Sequence, residues 1–284
     1  MKSIRTTAVF AAALLTFSAC EDKIELDLPE GETLLVVEGW ISNEPGPHHV
    51  KLSFTAPYFE AADPPPATGA DVTLSDSEGE VFLLEETAPG VYTFPDSGRV
   101  GRSYILDISL PDGEQYTTAP ELLRAPVPIL DIYWEVDPDG PSEFLEQDED
   151  QIYAVLIDTF EPPGRGDNYR WRVIVNGRFK NDPFDIAVTN DDFVDGSMIV
   201  GFSPINELFR EGDTVTVVQQ RISRHALEFL QLVQQQTAFV GSPFDTPPAP
   251  IRGNVNNLSN PDKRALGFFG AVGSDRATVV AGID

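Results

Sequence analysis

Short apolar segments separated by breakers run the length of this chain. Leu34 to Ile41 reads Leu-Leu-Val-Val-Glu-Gly-Trp-Ile, rich in β-branched residues and too short for a helix, and predicts a strand. Asn43 to Pro47, punctuated by Pro45, Gly46 and Pro47, predicts a turn. His49 to Thr55 returns as a strand with Val50, Leu52 and Phe54 on one face, because alternate residues of a strand share a side. After a Pro-rich loop over Pro57–Thr68, Ala70–Ser75 and Glu80–Glu85 flank Ser77-Glu78-Gly79 as a hairpin. Val91–Phe94, Ser103–Leu110 and Gln115–Thr118 follow, the middle one alternating Tyr104, Leu106, Ile108 and Leu110.

About seven short strands with regular turns over residues 30–122 are the pattern of an immunoglobulin-like or transthyretin-like sandwich. Pro120, Pro126 and Pro128 mark a boundary, and residues 123–284 are expected to form a second, β-rich domain. There Leu130, Ile132, Trp134 and Val136 alternate with polar neighbours, and Ile152–Thr159, Tyr169–Val175, Met198–Phe202 and Thr214–Arg221 continue the strand pattern. One amphipathic helix is predicted over 223–237, with Ser223 as N-cap and Ala226, Phe229, Leu230, Val233 and Thr237 at helical spacing. Gln231, Gln234 and Gln235 fall on its outer side. Ala265–Val272 and Ala277–Ala281 read as two closing strands. The fold class expected is thus mostly β with one helix.

Residues 1–19 break this pattern. Lys2 and Arg5 precede an apolar run from Ala8 to Phe17, then Ser18, Ala19 and Cys20, the sole cysteine. A basic head, a short apolar core and small residues make a signal peptide, and a cysteine directly after the small residues makes it a lipoprotein signal. Cleavage before Cys20 would leave that residue as an acylated N-terminus on a tether over residues 20–29. More than one acyl chain gives stable anchoring, at about 0.8 kcal/mol per buried methylene. The tether opens Glu21-Asp22-Lys23, and in some bacteria acidic residues there mark export to the outer face of the outer membrane, which favours the cell surface over the periplasmic face.

Charge narrows the partners. The chain of 284 residues carries a formal charge of −27, and loss of Lys2 and Arg5 with the signal takes it to −29. Such a surface repels phosphate backbones, so no nucleic-acid partner is expected. With Cys20 acylated no thiol remains, which removes disulfides, thiol catalysis and cysteine–zinc sites. There is no Gly-x-Ser-x-Gly elbow, His-Glu-x-x-His pair or Gly-rich phosphate loop, so a non-enzymatic role and no cofactor beyond the covalent lipid are expected. His48 and His49 are adjacent on a strand and point to opposite faces, a poor start for a metal site. Asp191, Asp192 and Asp195, ending at Gly196, are the weak calcium candidates, since calcium takes carboxylate and carbonyl oxygens, but the spacing is not that of a calcium loop. Trp134 and Trp171 sit beside aliphatic residues and read as core. Tyr58-Phe59, at the edge of the Pro-rich loop, is the candidate partner contact.

Several stretches together resemble a family of Bacteroidetes outer-membrane lipoproteins known as domain of unknown function 4249. They are Leu35-Val36-Val37-Glu38-Gly39-Trp40-Ile41, Ala56-Pro57-Tyr58-Phe59, Gly69-Ala70-Asp71-Val72, Pro89-Gly90-Val91-Tyr92, Gly253-Asn254-Val255 and Leu266-Gly267-Phe268-Phe269. The resemblance implies an outer-membrane lipoprotein, often encoded beside a TonB-dependent receptor, and brings no established catalytic or binding residues. The function expected is an accessory or binding component of a TonB-dependent uptake system. A structural or adhesive surface lipoprotein is the first alternative and a surface polymer hydrolase the second.

Overall fold

In the computed structural model, residues 32–56, 63–141, 148–182, 185–237 and 251–283 are described. Cys20, Tyr58 and Phe59 lie outside them. The protein is mostly β, with one helix among the described residues. The alternation read from the sequence is the cause. In β1 (Leu35–Ser42), Leu35, Val37 and Ile41 turn inward while Glu38 faces water. β1 pairs antiparallel with β2 (His48–Phe54), which continues through β5 (Val91–Phe94) to β4 (Val81–Ala88).

β4 belongs to two layers. Its second half pairs with β5, while Val81–Leu84 pair with β3 (Asp71–Asp76), which leads on to β6 (Ser103–Ser109) and β7 (Gln115–Thr118). β8 (Glu121–Leu122) pairs with the start of β6. Leu52, Leu74, Leu106, Ile108, Phe94 and the rings of Tyr92, Tyr104 and Tyr116 fill the space between the layers. Two of the buried tyrosines are anchored through backbone. The Tyr92 hydroxyl donates to Ala67 O at 2.9 Å and accepts from Ala70 N at 2.9 Å, and the Tyr104 hydroxyl accepts from Arg99 N at 2.6 Å. This satisfies the polar tips that burial would otherwise penalise.

The sandwich is finished by the far end of the chain. β16 (Val255–Asn257) adds to β7, and Val255, Ala265, Phe269 and Ala271 join the core of Leu35 and Tyr92. The two closing strands expected at 265–272 and 277–281 are one strand, β17 (Leu266–Val280). Leu266–Val272 pair parallel with β1, and Gly273–Val280 pair antiparallel with β15 (Thr214–Ile222). The Gly273-Ser274 pair, which looks like a turn, is a passage between sheets. A Cβ at Gly273 would lie 2.2 Å from Arg124 O, so only glycine lets the crossing chain pass there.

Around the second half of β17, β15 pairs with β11 (Asn168–Val175), which carries β12 (Arg178–Phe179) and β13 (Ala187–Asn190). A separate three-stranded sheet, β14 (Met198–Phe202), β10 (Tyr153–Phe160) and β9 (Ile129–Val136), closes over it. Val155, Ile157, Trp171, Val173, Val215 and Val217 form this second core. Residues from Thr33 onward make one compact unit by contact, with the 122/123 junction inside it and β17 contributing to both cores.

The helix, α1 (Arg224–Thr237), begins as expected, with Ser223 Oγ accepting from Ala226 N at 3.0 Å. Ala226, Leu227 and Leu230 bury against Phe268 and Val272, and Trp40 stacks on Phe268 at 5.5 Å between ring centroids. Gln234 is not on the outer side: its Nε2 donates to Ile186 O at 3.0 Å. The buried stripe runs through Leu227, which the predicted spacing omitted, and this turns Gln234 toward the β13 side.

Candidate functional site

β11 is the strand on which the site is built. It begins in a Gly-interrupted loop, Pro162-Pro163-Gly164-Arg165-Gly166, and its inward residues are Tyr169, Trp171 and Val173. The Trp171 indole donates to Gln219 Oε1 at 2.9 Å. Gln219 Nε2 donates in turn to Val127 O and Thr159 Oγ1, both at 3.0 Å, and Thr159 Oγ1 donates to Pro128 O at 2.9 Å. This buried chain of amide, hydroxyl and carbonyl fixes the ring, because a buried indole N–H without an acceptor is costly.

The fixed ring forms one wall of an open cleft of about 430 Å³ between β13, the segment after β14 and α1. Phe202 lies 4.7 Å from Trp171 by ring centroids, and Ile186, Val188 and Pro204 add apolar surface. Thr189, Ser203, Asn206 and Gln234 supply a few polar groups. The lining is thus mixed, slightly more polar than apolar, and the cleft is open to solvent.

At the N-terminal end of β11 lies a second constellation. Glu161 and Asp167 come from the loop between β10 and β11 and Asp191 from the turn after β13, and one carboxylate oxygen of each lies within 4.8 Å of the others. Their exposures are 2%, 3% and 1%. Arg221, from the end of β15, grips Asp167 with Nε at 2.9 Å from Oδ1 and with Nη2 on both oxygens. Asp191 Oδ2 accepts from Gly166 N at 2.8 Å and Asp167 N at 3.1 Å, so the loop is folded around that carboxylate. Glu161 has no such support. Burial pushes its pKa up to about 7, with Asp167 and Asp191 adding to the rise and Tyr169 and Arg221 opposing it. Burial also raises the neighbouring Tyr169 hydroxyl, and the Glu161 carboxyl adds to the effect.

The calcium candidates from the sequence do not converge as a trio. Asp191 turns into the buried group. Asp192 points outward and accepts from Asn190 Nδ2 at 2.8 Å, and Asp195 accepts from Gly164 N at 2.6 Å. Adjacent acids in a turn diverge, and the partners of Asp191 come from the 161–167 loop. Sequence reading missed Glu161, Asp167, Tyr169 and Arg221. The visible signal was charge beside strand ends at Glu161, Asp167 and Arg221, and Tyr169 carried none. Of the histidine pair, His48 is half-buried, stacked on Phe94 and bonded to Glu44 O at 3.1 Å, while His49 is the exposed one.

A further buried acid, Glu121 of β8, is 1% exposed, and neither carboxylate oxygen has a hydrogen-bond partner among the described residues. It faces the Ser223 cap and the Asn254 side chain, and burial, only partly offset by these two, raises its pKa to about 7.

The motifs at Gly253-Asn254-Val255 and Leu266-Gly267-Phe268-Phe269 lie side by side, with a Cβ on Gly253 only 1.4 Å from Gly267 O, and the Leu35–Ile41 motif is the strand paired to the second of them. A family profile described as Domain of unknown function (DUF4249) matches residues 21–278. The chain belongs to the DUF4249 family. No curated protein matches it. The match covers all three DUF4249 motifs just named, both candidate sites and the whole of α1.

Proposed function

We propose that this DUF4249 protein is a non-enzymatic binding component of a TonB-dependent outer-membrane uptake system, held at the membrane by acyl chains on Cys20. The observation that carries the reading is the sequence Ser18-Ala19-Cys20 behind a basic head and a short apolar run. It supports a tie to a lipid surface, and the acidic start of the tether favours the outer face. The cleft beside Trp171 supports a binding role. Its volume of about 430 Å³ falls in the range of small-ligand sites, and its indole wall is held rigid before any ligand arrives. Tyr58-Phe59 is the proposed contact to the receptor.

The test is a mild-detergent purification of the tagged full chain from native membranes, with mass spectrometry of what comes with it. A β-barrel receptor in stoichiometric amount is the expected companion. Cys20→Ala should lose acyl labelling and leave the membrane fraction. A clean lipoprotein with no barrel partner would overturn the uptake role in favour of an adhesive or structural one, and persistent labelling of Cys20→Ala would overturn the anchor.

A further inference from the structure

Three carboxylates and one guanidinium share the buried space at the head of β11. Asp167 is neutralised by Arg221, and Asp191 is held by two backbone N–H groups. Glu161 is the residue left over. Its Oε1 is buried without a hydrogen-bond partner, and so is the hydroxyl of Tyr169, a side chain that is 4% exposed. The two face one another closely enough for each to shift the other's pKa, but their contact is too poor in geometry to count as a made hydrogen bond. Buried polar atoms are nearly always paired. Two that meet at a carboxylate cluster and both lack a partner mark the position of a missing electrophile.

From this geometry we infer that Glu161, Asp167, Asp191 and Tyr169 form a calcium site. Oxygens bound to one calcium ion at 2.3–2.6 Å lie at most about 5 Å apart, and the three carboxylates already meet that spacing at 4.8 Å or less. The donor set is all oxygen, which suits a hard cation and not zinc or copper. With Arg221 counted, the ionised cluster carries two uncompensated negative charges, and one divalent cation balances them. Asp191 spends Oδ2 on the loop backbone, which leaves Oδ1 for the ion. Tyr169 supplies a neutral oxygen and water completes the shell. The ion would join the loop before β11 to the turn after β13, and so fix one end of the cleft wall formed by Ile186 to Thr189. The site does not depend on the uptake reading, and its test has no membrane partner in it.

The probe is calcium chloride, titrated into the chelator-treated full chain in detergent, with bound metal counted by elemental analysis and unfolding followed by heat. The expected result is about one calcium per chain and a rise in melting temperature of a few degrees at millimolar calcium. Glu161→Gln should weaken calcium binding by at least about tenfold, the usual consequence of losing an ionised ligand. In the absence of calcium it should melt no lower than the wild type, because it removes an unpaired buried charge. Asp192→Asn, which alters only an exposed acid nearby, should bind calcium as the wild type does. A wild-type chain that takes up no calcium overturns the site, as does full calcium affinity in Glu161→Gln. Should Glu161→Gln fail to fold, Tyr169→Phe decides: weakened binding is expected, and unchanged binding overturns the assignment.

Discussion

Asn254 pairs with Phe269 as if its side chain were a strand. Its Nδ2 donates to Phe269 O at 2.7 Å and its Oδ1 accepts from Phe269 N at 3.0 Å. The bond closes a span of 15 residues and joins the segment before β16 to β17. Asn254→Ala leaves a buried N–H and a buried C=O unpaired, and the expected loss is about 2–3 kcal/mol. Asn254→Asp should do no better, since a carboxylate cannot donate to Phe269 O. Urea unfolding of the two variants checks this.

Glu121 should make stability fall as pH rises. Its folded pKa of about 7 stands above the ordinary 4.5, so between these values the folded chain binds a proton that the unfolded chain has released. The contribution is fully present below about pH 4.5, declines as pH rises toward 7 and is gone above it, a change on the order of 3 kcal/mol. Glu121→Gln should remove that slope and be the more stable protein at pH 8. Parallel unfolding curves for the two proteins across pH 4.5 to 8 would refute the assignment.

Two arginine pairs of similar appearance should differ sharply in worth. Asp167 is buried and its partner Arg221 is largely covered, whereas Arg210 meets Asp148 and Asp150 at the surface. Arg221→Gln leaves Asp167 charged among two other acids, and a cost of about 3–5 kcal/mol is expected. Arg210→Gln breaks solvated pairs and should cost under about 1 kcal/mol. Denaturant titration at neutral pH separates them.

Gln219→Leu should disturb the cleft from behind. It strips partners from the Trp171 indole, Thr159 Oγ1 and Val127 O at once, for an expected loss of about 2 kcal/mol. The indole, no longer held, should show altered fluorescence anisotropy relative to the wild type. An unchanged Trp171 signal would show that packing alone fixes the ring.

Much of the architecture is legible in residue alternation. β5, β7 and β14 run as predicted, and Ser223 caps the helix it was expected to cap, because period and cap chemistry are local properties. What distance decides is hidden. β17 reads as two strands because Gly273-Ser274 resembles a turn, and only the backbone at Arg124 reveals a crossing. β16 and β8 are two or three residues long and exist because a partner edge is there to receive them. Asp191 drew notice beside Asp192 and Asp195, yet its real neighbours, Glu161 and Asp167, stand in another loop. Charge density along a chain says nothing of which carboxylate turns inward.

The first strand of the body waits for the last. β1 is bonded along one edge to β17, and the Asn43 side chain donates to the backbone of Ser274, 231 positions further on. Pairings so remote are closed late, because the loop between them costs entropy before any contact rewards it. A ribosome halted before Leu266 would release a sheet with an open edge and a core lacking Phe269, and not a shorter working protein. The strand at Leu35 is therefore finished only once Leu266–Val272 have been made.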